Sequence, residues 1–360
     1  CNNITAAITS FLHSPVVPTD STTKVDLAAT WKGITGDLID VEIDTNGDDC
    51  GITYSVTNPA SGTGAAEIDD ALINFGETHY TKVLNVFGSS VFTTLSTFNG
   101  IPNVETGGTG RWMNTVFKPF VAYAGTVLDD ATALKALTSG KTTDLTNELC
   151  PAANSSMYEF EIAAAWIVAL ASRQNIDPCL SVLDVPLVDI TGPEDNDTGD
   201  FRDIDIRDDL VKNGVSTSVY NGSQYLIKSA ITFRRPVDQP PTMIDFKYDR
   251  DICLDMNIQY NYRLKENTYL KGMTLANDTD VVDSDAPVIK PKDWLAIILD
   301  MARVLITKGW MADYDYTKEN SSASISSLNP NRMDTTFYYK LTGVARIMAG
   351  TIYKSFNVGE

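Results

Sequence analysis

The residue types that most often carry out catalysis are few in this sequence and poorly spaced for it. Histidine occurs at His13 and His79, and neither belongs to an H-E-x-x-H metal motif or lies beside a suitable cysteine. No G-x-S-x-G nucleophile elbow is present, although a Ser-His-Asp triad is a spatial arrangement that sequence spacing does not reveal. We therefore predict no catalytic, cofactor-binding or metal-binding residue, with an α/β hydrolase as a distant alternative.

Three stretches imitate ligand-binding loops. Residues Gly140–Thr142 match the end of a phosphate-binding P-loop, but Lys135 stands where that motif requires glycine. The loop Asp44–Asp49 offers oxygens for calcium, yet it lacks the glycine and distant glutamate of an EF-hand, so we interpret it as a solvated hairpin loop. The acidic stretch Asp189–Asp209 has nine carboxylates against two arginines. We interpret it as a solvated linker and helix start rather than a metal site.

The cysteines show neither C-x-x-C spacing nor histidine partners, so zinc and thioredoxin-like sites are not indicated. We expect reduced, half-buried thiols, and the alternative is that their odd number permits cross-links between subunits. A chain that begins with cysteine could be a lipoprotein freed of its signal peptide, but we favour a chain that continues upstream. The possible cross-linking thiols are Cys1, Cys50, Cys150, Cys179 and Cys253.

Length and charge narrow the class of protein. A chain of 360 residues with 43% hydrophobic residues is expected to fold as two or three domains with their own cores. Its net charge of −19 would repel a phosphate backbone, so we predict no nucleic-acid partner. The longest apolar run, Ile162–Ala171, is half of the roughly 20 residues that a membrane span needs. We predict no membrane insertion.

The order of the expected elements indicates how the chain is organised. After a helix at Ile4–Leu12, alternating patterns predict strands that include Leu38–Ile43 and Ile52–Val56. Helix and strand then alternate, which is typical of an α/β layer. The expected helices and strands of that layer are Ile68–Phe75, Lys82–Phe87, Val91–Phe98, Phe117–Tyr123, Val127–Leu137 and Met157–Ser172. The last helix should open with a capping box at Ser156 and Glu159 and be buried nearly all round.

The stretch Asn213–Pro236 predicts a β-hairpin. Two extended runs meet at Asn221-Gly222, and Asn-Gly is the strongest short-range hairpin signal because both central residues of a type I′ turn need positive φ. A hairpin is not stable alone and needs further strands beside it. We therefore expect it to receive a strand, which need not come from its own subunit. The residues of the receiving face are Tyr225, Ile227, Ile231 and Phe233.

The last extended segment, Met333–Lys354, which we call the terminal arm, carries a net charge of +2 in this acidic chain. Because it is longer than a usual strand, it must bend, at Gly343 or Gly350, or reach beyond its own domain. An extended, positive, half-apolar terminus suits donation to an acidic neighbour by β-augmentation. The predicted arm residues are Phe337, Tyr339, Lys340, Leu341, Val344, Arg346, Ile347, Ile352, Tyr353 and Lys354.

Several of these stretches together resemble one protein family. The sequence NGVSTSVYNGSQYLIKSAITFRRP at residues 213–236 resembles the C-terminal region of contractile tail sheath proteins of Mu-like myophages. Upstream, KGITGDLIDVEIDTN, GITYSV and IDDALINFGETHYTKVLN resemble the same family in the same order. The likeness covers nearly the whole chain and is diffuse, with no invariant catalytic signature.

The resemblance implies a multidomain fold of class α/β plus α+β. Residues 1–16 would be the end of an upstream helix packing with the central domain, and 17–65 an inserted small β domain. Residues 66–200 would form a central α/β domain, subtilisin-like in shape only. Residues 201–360 would form a C-terminal α+β assembly domain whose sheet is completed by strand exchange. Residues 252–264 alternate with a strict period of two, which favours a strand, but the resemblance implies a helix there, and we expect the helix.

The resemblance also implies a function. The chain would be the structural subunit of a phage tail sheath, built of stacked hexameric rings around a tail tube, that contracts to drive the tube through the host envelope. Its partners would be other copies of itself and the tail tube, baseplate and tail terminator proteins. It would assemble in the host cytoplasm and reside in the virion. The alternatives are the sheath of a phage-derived bacteriocin or injection system and, in other classes, the hydrolase and the surface lipoprotein.

Overall fold

The computed structural model describes residues 1–47, 51, 53–64, 66–102, 107–235 and 247–344. The chain divides into two compact units. The first comprises Cys1–Ala169 and Asp184–Lys247, and the second comprises Leu170–Leu183 and Tyr248–Glu360. The division into four segments remains a prediction. The two units differ from it because the predicted hairpin stretch belongs with the α/β residues and not with the C-terminal part.

The first unit is a mixed α/β structure. Its elements are α1 (Asn2–Thr9), β1 (Val16–Ser21), β2 (Lys24–Ala29), α2 (Asp69–Ile73), β3 (Lys82–Leu84), α3 (Phe92–Asn99), β4 (Val121–Thr126), α4 (Ala131–Thr138), β5 (Asn147–Pro151), α5 (Glu159–Gln174), α6 (Ile204–Lys212), β6 (Thr217–Tyr220) and β7 (Tyr225–Ser229). The end of α5, from Leu170 onward, is grouped with the second unit.

A parallel sheet with the order β3-β4-β5 lies at the centre of this unit. Every residue of β4 and β5 is buried, as expected for strands covered on both faces. One apolar cluster joins the sheet to α2 and α3, and another joins it to α4 and α6. The sequence predicted β3 and β4 but missed β5, because Asn147 and Glu148 at its start are polar residues that are fully buried.

Helix α5 differs in two respects from its prediction. It begins at Glu159, and its N-terminus is capped by Glu161, whose Oε2 accepts a hydrogen bond from the Tyr158 amide at 3.1 Å, rather than by the predicted pair. Ile162 and Trp166 are fully buried, but Val168 is largely exposed. The helix therefore has one solvent-facing side within an uninterrupted apolar sequence.

The N-terminal region holds less β structure than predicted. The hairpin β1–β2 is present, but residues 38–43 are the end of a 3₁₀ turn and irregular chain, and the described residues of 52–56 are irregular chain. The amide of Val41 donates to the side chain of Asn58 at 3.2 Å and not to another backbone. Leu38 and Ile43 remain exposed, so alternation here places no face against a core. Helix α1 lies next to β1, and none of its residues is buried.

The second unit contains α7 (Asp249–Lys265), β8 (Thr274–Leu275), β9 (Val288–Ile289), α8 (Pro291–Thr307), β10 (Met311–Ala312), α9 (Tyr314–Asn320), β11 (Ser322–Ile325), β12 (Met333–Thr336) and β13 (Lys340–Leu341). Its strands form two-stranded sheets, β8–β9 parallel and β10–β13 and β11–β12 antiparallel. Within the described ranges, no helix combines the length and apolar character that crossing a bilayer requires.

Helices α7 and α8 build the core of the second unit. The expected helix at 252–264 is confirmed. Its first half is buried on several sides, because Ile252, Leu254, Met256 and Ile258 are all buried although they spread around a helix. Proline at 291 and glycine at 309 predict a helix at Pro291–Lys308, and α8 begins at Pro291 and ends at Thr307.

Candidate assembly site

The described part of the terminal arm pairs with strands of its own unit. Strand β12 pairs with β11 in the register Ser322↔Thr336 to Ile325↔Met333, and β13 pairs with β10 through Met311↔Leu341 and Ala312↔Lys340. Strand pairing is interrupted at residues 337–339, before the bends predicted at Gly343 or Gly350. We call residues 337–342 the arm root, since the rest of the predicted arm follows it.

The apolar side chains of the arm root pack against the core of the second unit. Phe337 stacks on Tyr262 with ring centroids 5.8 Å apart and planes 16° apart, and it also contacts Tyr339. Leu341 packs against the same apolar cluster as Trp294. An unbroken strand would place these three odd-numbered residues on one face, and in the structure all three pack against the protomer's own core. Their donation to a neighbouring copy stays a prediction.

A buried carboxyl group on α7 holds Tyr339. The Tyr339 hydroxyl donates a hydrogen bond to Asp255 Oδ1, and Gln259 Nε2 donates to the Tyr339 oxygen at 2.9 Å. Burial raises the pKa of Asp255 to about 6, although the hydrogen bond from Tyr339 acts in the opposite direction. Burial, together with the negative charge of Asp255, raises the pKa of Tyr339 well above its ordinary value, so the phenol stays protonated and can donate.

A buried guanidinium on the same helix holds Thr342. Arg250 is 3% exposed and donates from Nη1 to the Thr342 carbonyl and from Nη2 to Thr342 Oγ1 at 3.0 Å. Its charge is balanced by Asp251, with Nη1 and Oδ1 2.9 Å apart. The Thr342 hydroxyl in turn donates to the carbonyl of Gly309. Charge-assisted hydrogen bonds of this kind are about twice as strong as neutral ones, so Thr342 is firmly anchored.

The basic residue of the arm root is paired within its own unit. Lys340 Nζ lies 2.5 Å from Asp313 Oδ2 and 4.1 Å from the centre of the Tyr316 ring. The hydrogen bond from Lys340, followed by that from the Tyr316 amide, holds the pKa of Asp313 below its ordinary value. Lys340 is therefore not an unpaired charge available to a neighbouring copy.

The other predicted arm residues lie at or beyond the end of the described chain. Val344 is half-buried. The positions that fall outside the described residues are Arg346, Ile347, Ile352, Tyr353 and Lys354. For these residues strand donation stays a prediction.

The predicted receiving face of the hairpin is buried in the first unit. Tyr225, Ile227, Ile231 and Phe233 are each at most 1% exposed. Phe233 packs on Phe92 at 4.9 Å between ring centroids, and the Tyr225 hydroxyl donates to the Ala153 carbonyl at 2.7 Å.

The two edges of this hairpin region also have partners in the same unit. The Phe233 amide donates to the carbonyl of Asn147 in β5 at 3.1 Å. On the other side, β7 pairs with residues 184–187, with the Leu187 amide 2.9 Å from the Tyr225 carbonyl. The chain reverses at Asn221-Gly222 and the predicted apolar face is present, but the predicted type I′ turn is wrong, because Asn221 does not have a positive φ. The apolar face packs within its own unit. Its role as a receiver for another copy remains a prediction.

The cysteines differ in accessibility. Cys1 is exposed, Cys150 is buried, and Cys179 and Cys253 are half-buried; none of these four is in a disulfide, and Cys50 lies outside the described residues. Burial raises the pKa of Cys179, whose thiol donates to the Gly309 carbonyl at 2.8 Å. Cross-linking between copies would thus be easiest at Cys1. Among the residues with described positions, no cluster of histidine, cysteine and carboxylate side chains is placed to hold a metal ion.

Sequence reasoning missed Arg250 and Asp255, the two side chains that fix the arm root. The signal that could have identified them is their position: two charged residues within a helix whose neighbours are apolar on several sides. Such residues are rarely buried unless they bind a partner.

Comparisons with known proteins were made on the sequence and on the fold. No protein-family model and no curated protein matches the sequence. A chain of the anti-feeding prophage baseplate, determined by cryo-EM with six-fold symmetry, gives a TM-score of 0.45 at 9% identity, covering 74% of this chain and 64% of that one. The sheath tail protein of Desulfitobacterium hafniense gives 0.48 at 10% identity, covering 80% and 65%.

A third structure is the sheath complex of an extracellular contractile injection system in its contracted state. It gives a TM-score of 0.43 at 9% identity, covering 68% of this chain and 67% of that one. The chain therefore spans about two thirds of the length of the first two, at 64% and 65%. Two of these three structural neighbours are described as sheath proteins and the other as part of a baseplate.

Proposed function

We propose that this chain is the structural subunit of a contractile sheath, of a phage tail or a phage-derived injection system. Subunits would form stacked hexameric rings around a tail tube, and contraction would drive the tube through the host envelope. The partners would be other copies of the chain and the tube, baseplate and terminator proteins. Assembly would take place in the host cytoplasm, and the finished particle would contain the protein.

The single observation that carries the proposal is the anchored arm root. An arm that joins two subunits has to transmit force during contraction, so its attachment to the parent subunit must not slip. The root meets that need: Thr342 is held by the buried Arg250 and Tyr339 by the buried Asp255, both on one helix. Immediately after this attachment comes Gly343, where a substituent would meet no described atom within 4 Å. A rigid root followed by a small residue is a suitable base for a strand that must change direction.

The sequence beyond the root supports strand donation. Residues 345–354, ARIMAGTIYK, carry two positive charges and no negative charge. Main-chain hydrogen bonds in an added strand depend little on sequence, so they can persist while subunits move as rigid bodies. A head-to-tail contact of this kind builds an open helical polymer, which is the geometry of a sheath.

Truncation after the arm root tests the proposal. The structure defines where to cut, because removing Met333–Thr342 would also remove two strands and the aromatic side chains of the core. We expect a variant lacking residues 345–360 to keep its thermal midpoint and to lose tube formation in negative-stain microscopy. Tubes of normal appearance in the truncated variant would contradict the role of the arm.

Charge reversal gives a milder test with a matched control. We expect Arg346→Glu with Lys354→Glu to weaken assembly, because the arm would no longer complement an acidic neighbour. Lys340→Glu is the control, since Lys340 binds Asp313 of its own protomer. Equal losses in the double variant and the control would argue against an arm-specific charge effect.

A further inference from the structure

An apolar groove lies on the surface of the first unit, between residues 31–39 and residues that follow strands β3 and β5. It has a volume of about 590 Å³. Among the described residues that line it, Lys32 is the one charged side chain. We call this surface the apolar groove and define it by Trp31, Ile34, Leu38, Val86, Tyr158 and Phe160.

The described chain leaves the groove open. Ile34 is 52% exposed, and Trp31 and Tyr158 are each more than two fifths exposed. The rings of Tyr158 and Phe160 are stacked, with centroids 5.4 Å apart and planes 8° apart, and form one wall. Clustered exposed apolar side chains of this kind mark binding sites more often than scattered ones do.

The position of the groove in the fold also indicates binding. Val86 follows strand β3, and Tyr158 lies between β5 and α5. Both residues therefore lie beyond the carboxyl ends of parallel strands, where open α/β sheets place their binding crevices. Here the crevice is lined by aromatic and aliphatic groups, which suits an apolar side chain better than a polar substrate.

The net charge of the chain and the lack of carboxylates among the described residues of the groove favour a second copy of the chain as the occupant of the groove. Two copies of a chain with a net charge of −19 repel each other, so contact between them is easiest where carboxylates are absent. No aspartate or glutamate is among the described residues that line the groove. Residues 1–19 contain no charged side chain, in a chain of which 21% of residues are charged.

The same N-terminal stretch exposes a pair of large apolar side chains. Phe11 is 74% and Leu12 is 92% exposed, in the turn between α1 and β1. We propose that Phe11 and Leu12 of one copy dock into the apolar groove of another copy. Because the two surfaces differ, the contact is head-to-tail and can propagate along a polymer. The proposal rests on the proposed function and adds a second contact between subunits, independent of the terminal arm.

Sedimentation velocity over a concentration series, with negative-stain microscopy, tests the contact. We expect Leu12→Glu to weaken self-association about tenfold or more, since a buried leucine contributes about 1.5–3 kcal/mol and each 1.4 kcal/mol is a factor of ten. Leu328→Glu is the matched control, because Leu328 is 91% exposed in the second unit. Adding Ile34→Lys to Leu12→Glu should restore association by pairing opposite charges. Circular dichroism confirms that each variant is folded.

The outcomes separate this contact from the proposed function. Loss in Leu12→Glu, no loss in Leu328→Glu and recovery in the double variant support the docking. Association of Leu12→Glu at the wild-type level overturns it, even if tubes form. Wild-type protein that associates through Leu12 into short oligomers but never forms tubes supports the docking and contradicts the sheath. Wild-type protein that stays monomeric at every concentration contradicts both.

Discussion

Replacing Asp255 by asparagine should stabilise the protein at neutral pH, and the benefit should shrink as the solution becomes acidic. Asp255 is 3% exposed and lies on α7 beneath the arm root. Asparagine keeps an oxygen that can accept the hydrogen bond from Tyr339, but it carries no charge to be desolvated. The substitution therefore separates the energetic cost of the buried charge from the hydrogen bond that anchors the arm.

The size of the expected stability change follows from the pKa of Asp255. Burial raises the pKa of Asp255 from its ordinary 3.8 to about 6. A carboxyl group whose pKa is raised by folding binds its proton more tightly in the native state than in the unfolded chain. The free energy of unfolding therefore falls as the pH rises from about 3.8 to about 6, and it changes little above that range. The shift corresponds to about 3 kcal/mol of destabilisation at pH 7.5 and to about 1 kcal/mol at pH 4.5. The advantage of asparagine should thus fall by about 2 kcal/mol between these two pH values.

Urea unfolding at the two pH values, followed by tryptophan fluorescence, measures this change. Two tryptophans, Trp294 and Trp310, lie in the second unit and report on it. Any constant cost of burying the amide group cancels when one variant is compared at two pH values. Asp300→Asn is the control for losing one negative charge, because the side chain of Asp300 is 72% exposed on α8. An advantage of Asp255→Asn that is the same at both pH values would refute the reasoning.

Two further substitutions test the packing of each unit. Gly125→Ala should destabilise the first unit by several kcal/mol, since the new Cβ would lie 1.7 Å from the Glu159 carbonyl oxygen. Thermal unfolding measures this loss. The control, Gly343→Ala, should show no such loss, because no described atom lies within 4 Å of its new Cβ. Arg250→Met should leave the Thr342 carbonyl without its charged donor and lower the free energy of unfolding by about 3 kcal/mol or more. Limited proteolysis should then cut the arm root faster than in wild type. An unchanged rate would show that Arg250 does not anchor the arm root.

Local signals in the sequence were sufficient where local geometry decides the structure. The proline that opens α8 was correctly interpreted, because proline lacks an amide donor and fits the first turn of a helix. The chain also reverses at Asn221-Gly222 as predicted, but the type I′ turn is wrong, because Gly222 has a positive φ and Asn221 does not, and four residues connect β6 to β7. Strands β3 and β4 were found because they are apolar and follow recognisable turns. These features depend on a few neighbouring residues, which the sequence displays directly.

Features that depend on distant partners were not predictable in the same way. The period-two pattern of α7 favoured a strand, and the helix forms because its first half is enclosed by apolar groups from distant parts of the chain. Residues 38–43 show the converse, since their alternation has no core to face. Strand β5 was missed because Glu148, buried and bonded to Trp166 Nε1 at 2.8 Å, does not resemble a core residue.

The terminal arm shows how one sequence pattern can serve two purposes. Its first apolar residues alternate in the way that suits an added strand, yet Phe337 and Tyr339 pack in the parent unit. Because these two side chains pack there, the strand donation that we propose uses the residues beyond Thr342. On the proposed function, this arrangement suits a contractile assembly, since the attachment of the arm to its parent subunit has to hold while the strand beyond it changes direction. The buried side chains of Arg250 and Asp255 provide that attachment.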